Sequence, residues 1–275
     1  MKRRLIQLCA GLLYNLNLNG FSEVSIYKGE IKGVCVPGLN CYSCPGAIGS
    51  CPVGTLQNSL ASMDRKLPFY ILGVLLLFGV TLGRTVCGFL CPFGLIQELL
   101  YKIPGPKLKK HRVTRALSKV KYFILVIFVL ILPVVYKLAL GYPVPAFCKY
   151  ICPAGALEGG IPLVLLDKNL SSLAGALFTW KMGVLAVILV SAVFIYRSFC
   201  RFLCPLGAIY ALFAPVALLG VEVDEEACTN CGKCVRTCKM DIKKVGDMEC
   251  IQCGECRDEC SLKAIHWKKP SLKQR

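Results

Sequence analysis

Nineteen of the 275 residues are cysteines, and most fall at spacings that suit metal ligation. The most regular set lies near the C-terminus. Cys228, Cys231, Cys234 and Cys238 keep the rhythm Cys-x2-Cys-x2-Cys-x3-Cys, and Cys250, Cys253, Cys256 and Cys260 repeat it. Two such runs suit a pair of [4Fe-4S] clusters in which the fourth cysteine of each run serves the other cluster. Cluster one is then expected on Cys228, Cys231, Cys234 and Cys260, and cluster two on Cys250, Cys253, Cys256 and Cys238. Lys239 and Ser261 stand where a proline usually follows the fourth cysteine, a position that is not a ligand. The alternative is two four-cysteine zinc sites, which usually pair Cys-x2-Cys knuckles at longer separation.

A second pattern, Cys-x3-Cys-Pro-x-Gly, occurs at 87–94, 148–155 and 200–207. A degenerate copy ends at Cys51-Pro52-Val53-Gly54, its partner cysteine moved back to Cys44. Thiolates four residues apart share one face of a helical turn. The proline that follows suits the first turn of a new helix. Each phrase therefore aims two soft ligands at one point, and two phrases make a four-thiolate site. A lone copy could be two buried structural cysteines. Four copies, each at the end of an apolar run, argue otherwise. Cys41 is the rival of Cys44, because Cys41-Tyr42-Ser43-Cys44-Pro45 also reads as a turn. Disulfides among Cys35, Cys41, Cys44, Cys51, Cys148 and Cys152 remain the alternative there. Cys9 and Cys35 read as non-ligands.

The elements that must position these thiols are apolar. Hydrophobic residues make up 55% of the chain, yet its formal charge is +17. Bilayer-length runs with basic flanks explain both. Nucleic-acid binding, the rival reading of the charge, is set aside because the basic residues cluster beside apolar runs. Spans are expected at 5–20, 68–84, 122–140 (relieved at Pro133) and 173–196. A basic loop carries Lys102, Lys107, Lys109, Lys110, Arg112, Arg115, Lys119 and Lys121, and the chain after Arg197 is basic again. The positive-inside rule places both in the cytoplasm. No cleavage site follows the N-terminal apolar stretch, so a multi-pass protein of the cytoplasmic membrane is expected. The C-terminal domain then lies inside the cell.

Cys-Pro-x-Gly, a span, an arginine (Arg84 or Arg197) and Cys-x3-Cys-Pro-x-Gly recur at 51–94 and 152–207. Both copies run the same way, which predicts halves related by an axis along the bilayer normal. Cys87 and Cys91 then meet Cys200 and Cys204 in an inner cluster site. Cys44 and Cys51 meet Cys148 and Cys152 in an outer one. The apolar stretches 95–103 and 208–219 are too short to cross and read as half-buried helices that shield the sites. The expected fold is mainly α: a membrane domain over 1–220, a multi-span helical bundle with an internal tandem repeat. A two-cluster ferredoxin domain of α+β build follows over 221–275. Four [4Fe-4S] clusters follow from sixteen ligand cysteines.

Other chemistries find no support. Neither His111 nor His266 lies in a span, so no membrane haem pair exists, and both read as surface residues. Haem-c attachment, phosphate-loop and dinucleotide fingerprints are missing. No acidic residue lies in a span to relay protons. Glu98 and Glu158 follow their Cys-Pro motifs by seven and six residues and read as solvated helix residues.

These motifs resemble the NapH/NosR-type membrane iron–sulfur proteins, which join Cys-x3-Cys-Pro phrases at span ends to a cytoplasmic two-cluster ferredoxin. The resemblance covers roughly 35–265 and is closest at 87–94, 200–207 and 228–260. The outer phrases 40–45 and 148–153 look like a subgroup. The resemblance implies electron transfer with a quinone pool or an extracytoplasmic redox protein. NosR-like proteins carry an extracytoplasmic flavin domain, for which this chain is too short, so any flavin belongs to a partner. The expectation is an electron-transfer subunit of a larger complex, rather than a stand-alone enzyme. It would carry electrons between a cytoplasmic donor and the outside. The basic tail suits docking of an acidic ferredoxin or flavodoxin. A quinol-linked subunit working near the cytoplasmic face, or a zinc-binding structural protein, are the alternatives.

Overall fold

A computed structural model describes residues 2–61, 69–108, 110–172 and 174–268. The expectations for Pro68, Lys109, Leu173 and residues 269–275 lie outside the described residues. Two helices among the described residues are long and apolar enough to cross a bilayer, Arg112–Leu140 and Ala176–Phe194, against four spans expected. At 1.5 Å per residue they measure ~43 and ~28 Å.

The helices in chain order are α1 (Lys2–Tyr14), α2 (Pro52–Ala61), α3 (Phe69–Thr81), α4 (Thr85–Phe89) and α5 (Pro92–Leu100). Next come the long α6 (Arg112–Leu140), α7 (Ala146–Tyr150), α8 (Gly155–Leu166) and the long α9 (Ala176–Phe194). Then follow α10 (Ser198–Phe202) and α11 (Pro205–Phe213). The expected span at 5–20 is corrected to the shorter α1, ~20 Å long against a bilayer core of ~30 Å. Asparagines end it: Asn15 donates to the Gly11 carbonyl at 2.9 Å and to Asn40 at 3.2 Å, and Asn17 holds the Pro45 carbonyl at 2.8 Å. Such side chains compete with the helix for backbone groups.

Proline explains the shape of α6. Pro133 has no amide to donate, and a π-helical stretch, Leu125–Ile131, absorbs the break. Helix α8 repeats the device, with π turns over Gly155–Gly160 just before Pro162. Helices α6 and α9 run antiparallel. The Thr114 hydroxyl near the start of α6 donates to Asp241 at 2.7 Å, and the α6 C-terminal half packs on α2. Trp180 near the start of α9 donates to the Tyr150 carbonyl at 3.1 Å. The Phe194 carbonyl at the end of α9 returns to the Leu108 amide.

The C-terminal domain carries one two-stranded antiparallel sheet, β1 (Val221–Val223) on β2 (Ile265–Trp267), in the register Val221↔Trp267. Its short helices α12 (Lys233–Thr237) and α13 (Glu255–Asp258) each follow a left-handed glycine, Gly232 or Gly254. One continuous core joins this domain to the helices, from Val53 and Leu56 through Ile71, Phe93 and Tyr210 to Met240 and Ile251. The outer faces of the long helices stay apolar and uncovered, as at Leu138 (82% exposed) and Val187 (69%).

Candidate metal centres

Helices α4–α5 and α10–α11 are two copies of one turn. In each, the first cysteine (Cys87 or Cys200) lies in the short helix, and the second (Cys91 or Cys204) caps the next helix ahead of its proline. The Cys204 sulfur accepts the Gly207 amide at 3.3 Å. A thiolate there meets the positive end of a helix. Phe93 and Phe199 press the two turns together edge to face, 5.2 Å between ring centres. Gln97, on the helix that Cys91 caps, reaches the Cys200 sulfur at 3.1 Å, and Arg197, ahead of Cys200, donates to the Cys87 carbonyl. The structure thus brings the four expected inner residues together.

Arg84 and Arg197, each three residues before its first cysteine, are 1% and 0% exposed. Arg197 adopts φ +51, donates to the Cys87 carbonyl, and holds Glu98 through Nε at 2.9 Å and Nη2 at 2.6 Å. The Arg84 Nε has no partner though buried. Glu98 is the counterion of Arg197 and Glu249, at 3.5 Å, that of Arg84, while the unpartnered Arg84 Nε beside the inner turn suits the further anionic charge that a thiolate-bound iron–sulfur cluster supplies.

The reading of Glu98 and Glu158 as solvated is corrected. Glu98 is 2% exposed and accepts from Arg3 at 2.6 and 2.8 Å and from Tyr196 at 2.7 Å as well as from Arg197. Burial opposes its ionisation, but Arg197, Arg3 and Tyr196 outweigh it and hold the carboxyl at about 2. Glu158 is half-buried and accepts the Cys41 amide at 2.8 Å. His111 and His266 are exposed, and His111 caps the start of α6.

Sequence reasoning missed Gln57 and Gln97, the polar residues six positions beyond Cys51 and Cys91. Gln97 donates to the Cys200 sulfur at 3.1 Å and accepts the Phe199 amide at 3.0 Å. Gln57 does the same to Cys148 at 3.3 Å and Phe147 at 2.9 Å. Each glutamine clamps its own half to the other half of the repeat. Glu158 and Tyr210 hold the corresponding places, and Tyr210 donates to the Pro37 carbonyl at 2.9 Å. Aligning the four copies one turn further than their Pro-x-Gly would have found this position.

At the far end, Gly54 faces the Cys148 sulfur and Gly155 the Cys152 sulfur, each 3.8 Å from an added Cβ. Further along the helix that follows Cys152, an added Cβ on Gly159 would lie 3.1 Å from the Cys41 sulfur. Cys44 instead lies 3.5 Å from Asn15. Cys35 bonds Thr55 and Cys9 is exposed, so neither joins a set. None of the nineteen cysteines is in a disulfide.

In the C-terminal domain, Cys228, Cys231, Cys234 and Cys260 line one cavity together with Lys233, Lys243 and Lys244. Cys250, Cys253, Cys238 and Cys234 all act on Cys256. Burial and the neighbouring Cys250 and Cys253 push the Cys238 and Cys256 thiols up to about 12. A bound metal cation displaces the thiol protons to solvent and offsets the repulsion of crowded thiolates, so these residues fit the clusters the spacing implies. Among the described residues no three Cys, His, Asp or Glu groups close on a single ion. In a cubane cluster each thiolate takes its own iron, a wider arrangement.

The domain is docked on the inner turn. An added Cβ on Gly88 would lie 2.5 Å from the Ile251 carbonyl and 3.8 Å from the Cys253 Cα. Lys121 grips Glu249 at 2.7 Å, Lys110 the Val235 carbonyl at 2.8 Å, and Arg201 pairs with Asp241. Arg3 joins Glu98 to Glu255 at 3.0 Å.

Thiol sets of this spacing and burial, with buried cationic neighbours, define an iron–sulfur electron-transfer protein. Residues 67–111, 122–161 and 176–220 each match the family described as 4Fe-4S binding domain, and each segment holds one Cys-x3-Cys-Pro phrase. An uncharacterised protein of Methanocaldococcus jannaschii is 29% identical over 76% of this chain and 80% of its own. The putative electron transport protein YccM of Escherichia coli is 25% identical over 70% of this chain and 54% of its own. The regulatory protein NosR of Pseudomonas aeruginosa is 30% identical over 58% of this chain and 20% of its own. No solved structure matches. The chain carries three copies of this 4Fe-4S binding domain and is similar to the NapH/NosR-type 4Fe-4S proteins.

Proposed function

We propose that this chain conducts electrons through four [4Fe-4S] clusters held in file, between a cytoplasmic donor and the far side of the membrane. The order is cluster one, cluster two, the inner site on Cys87, Cys91, Cys200 and Cys204, and then the outer site, whose ligands include Cys51, Cys148 and Cys152. The seat of Gly88 on Ile251 and Cys253 carries the reading, because it sets cluster-two residues directly against the inner turn.

The next step is as short. Tyr210, buried in the helix that Cys204 caps, donates to the Pro37 carbonyl at 2.9 Å and so ties the inner turn to the loop that leads to Cys41. An added Cβ on Gly38 would lie 3.3 Å from the Cys91 Cα, so the loop before Cys41 packs against the inner turn. Two sets at opposite faces of a ~30 Å core could not exchange electrons directly. A loop that enters the bundle removes that gap. The uncovered apolar faces of α6 and α9 suit lipid. Basic side chains gather at the end that bears the C-terminal domain, which supports a cytoplasmic position for it.

Each cluster, when bound, takes up and gives back one electron. The chain's own residues hold the sulfurs, exclude water, supply positive charge and donate hydrogen bonds to sulfur. Lys233, Lys243 and Lys244 around cluster one suit an acidic ferredoxin or flavodoxin as donor. An extracytoplasmic redox protein, such as a flavin-bearing one, would be the acceptor. Iron and acid-labile sulfide on anaerobically purified chain test the count, expected at about sixteen irons per chain. About eight would leave only the C-terminal clusters and refute the file. In liposomes, a donor on one side should reduce an impermeant acceptor on the other.

An apolar groove lined by Thr85, Phe89, Leu219 and Trp267, where the inner turn meets the C-terminal domain, favours a second reading as a quinone-linked subunit. Quinone-dependent turnover with no transfer across the liposome would decide for it.

A further inference from the structure

We infer that Cys41, not Cys44, completes the outer cluster site with Cys51, Cys148 and Cys152, standing in for a cysteine that the degenerate repeat lacks at Ala47. The inference rests on the four-cluster reading above and assigns the fourth ligand of its outer site.

In three copies of the phrase the first cysteine stands four residues before the Cys-Pro cysteine. In the copy ending at Cys51 that place is Ala47, which is fully buried and carries no ligand. Its carbonyl accepts the Lys32 ammonium at 2.5 Å. The missing thiol must come from elsewhere along the chain, and the structure offers Cys41 or Cys44.

Cys152 is the hub that separates them. Cys148 is its own turn partner, and an added Cβ on Gly155, in the first turn of the helix that Cys152 introduces, would lie 3.8 Å from the Cys152 sulfur. Cys41 also touches the helix that Cys152 introduces, because an added Cβ on Gly159 would meet the Cys41 sulfur at 3.1 Å. The Cys41 amide donates to Glu158 at 2.8 Å. Glu158 holds the position from which Gln57 and Gln97 accept the amides of Phe147 and Phe199, each one residue before a ligand cysteine in the short helix opposite. Cys41 is thus pinned in its half of the site as Cys148 and Cys200 are pinned in theirs.

Cys44 points another way. Its sulfur lies 3.5 Å from the Asn15 side chain at the end of α1. Proline follows Cys44, as it follows the second cysteine of every phrase, and that likeness makes Cys44 the attractive choice from sequence. Its surroundings instead tie it to the turn that closes 41–47, where the Cys44 amide returns to the Cys41 carbonyl and the Ala47 amide to the Cys44 carbonyl.

The test compares Cys41→Ser, Cys44→Ser and Cys148→Ser in the full chain, purified without oxygen. The readouts are iron, acid-labile sulfide and the low-temperature EPR spectrum of the reduced protein. Cys41→Ser and Cys148→Ser should each lose about a quarter of the iron, four of about sixteen atoms, and the same EPR component. Cys44→Ser should keep both. An unaltered signal from the C-terminal clusters shows that each variant has folded, and Cys41→Ala repeats the test without a hydroxyl able to bind iron. Loss of that quarter in Cys44→Ser, or its retention in Cys41→Ala, overturns the assignment while leaving the four-cluster reading intact. About twelve irons in both the parent chain and Cys148→Ser removes the outer cluster, and with it both readings.

Discussion

Glu98→Gln is the most informative single change. The carboxylate is buried and accepts from Arg197, Arg3 and Tyr196, with Arg4 at 3.5 Å. Glutamine keeps the shape and one acceptor oxygen, but turns an N–H₂ group toward guanidinium donors. Arg197, fully buried beneath the inner turn, then loses its countercharge. Breaking a buried ion pair from one side costs ~3–5 kcal/mol. Arg3 can rehydrate in part, so we expect about 3 kcal/mol, or roughly 6–12 °C in melting temperature. Tyr196→Phe, which removes one hydrogen bond to the same carboxylate, should cost about 1.5 kcal/mol. The assay is a thermal melt of the cluster-loaded protein in detergent under argon, followed by circular dichroism and cluster absorbance. The uncompensated Arg197 should also raise the midpoint potential of the inner cluster, since positive charge favours the reduced form. The sign with pH follows from a carboxyl held at about 2 against an ordinary 4.5. Its contribution is present above the ordinary value and is lost as pH falls from there toward 2. The parent and Glu98→Gln should therefore converge in stability as the solution is acidified below about 4. Equal melting temperatures for the two at neutral pH would refute the reasoning.

Gly88→Ala should push the Ile251 carbonyl back by about 1 Å at an overpacking cost of about 1–3 kcal/mol. It should slow electron passage from the C-terminal clusters to the inner one at unchanged iron content, and an unchanged rate would count against the file of clusters. Gln97→Leu removes the donor at 3.1 Å from the Cys200 sulfur, so the inner cluster's midpoint potential should fall on redox titration. A rise or no shift contradicts a tuning role. Lys32→Gln deletes a buried cation whose charge neighbours are Cys44 and Cys41, and should lower the outer cluster's potential while leaving the inner one unmoved. Reduction by an acidic ferredoxin should slow steeply between about 0.1 M and 1 M salt, as the screening length shrinks from ~10 to ~3 Å, and Lys243→Glu with Lys244→Glu should remove that dependence. Rates indifferent to salt would exclude docking at this basic rim.

Ligand chemistry was legible in one dimension. A cubane needs thiolates from tight local turns, and a tight turn leaves its mark as short spacing. The sequence alone therefore determined the C-terminal rhythm, the inner phrases and their arginines, and the apolar runs between them. Three things needed the folded chain. Whether an apolar run becomes a span depends on where neighbouring polar side chains find partners, and Asn15, held by Gly11 and Asn40, ends α1 early. Whether Glu98 meets water depends on Arg3 and Arg197, which stand 95 and 99 residues away along the chain. How far apart the two membrane sets lie depends on a loop, 37–41, that spacing assigns to the surface and packing draws inside against Cys91 and Tyr210. Contacts made within one helical turn are written in the order of the residues. Contacts between distant segments exist only once burial has chosen which side chains share a space too small for water.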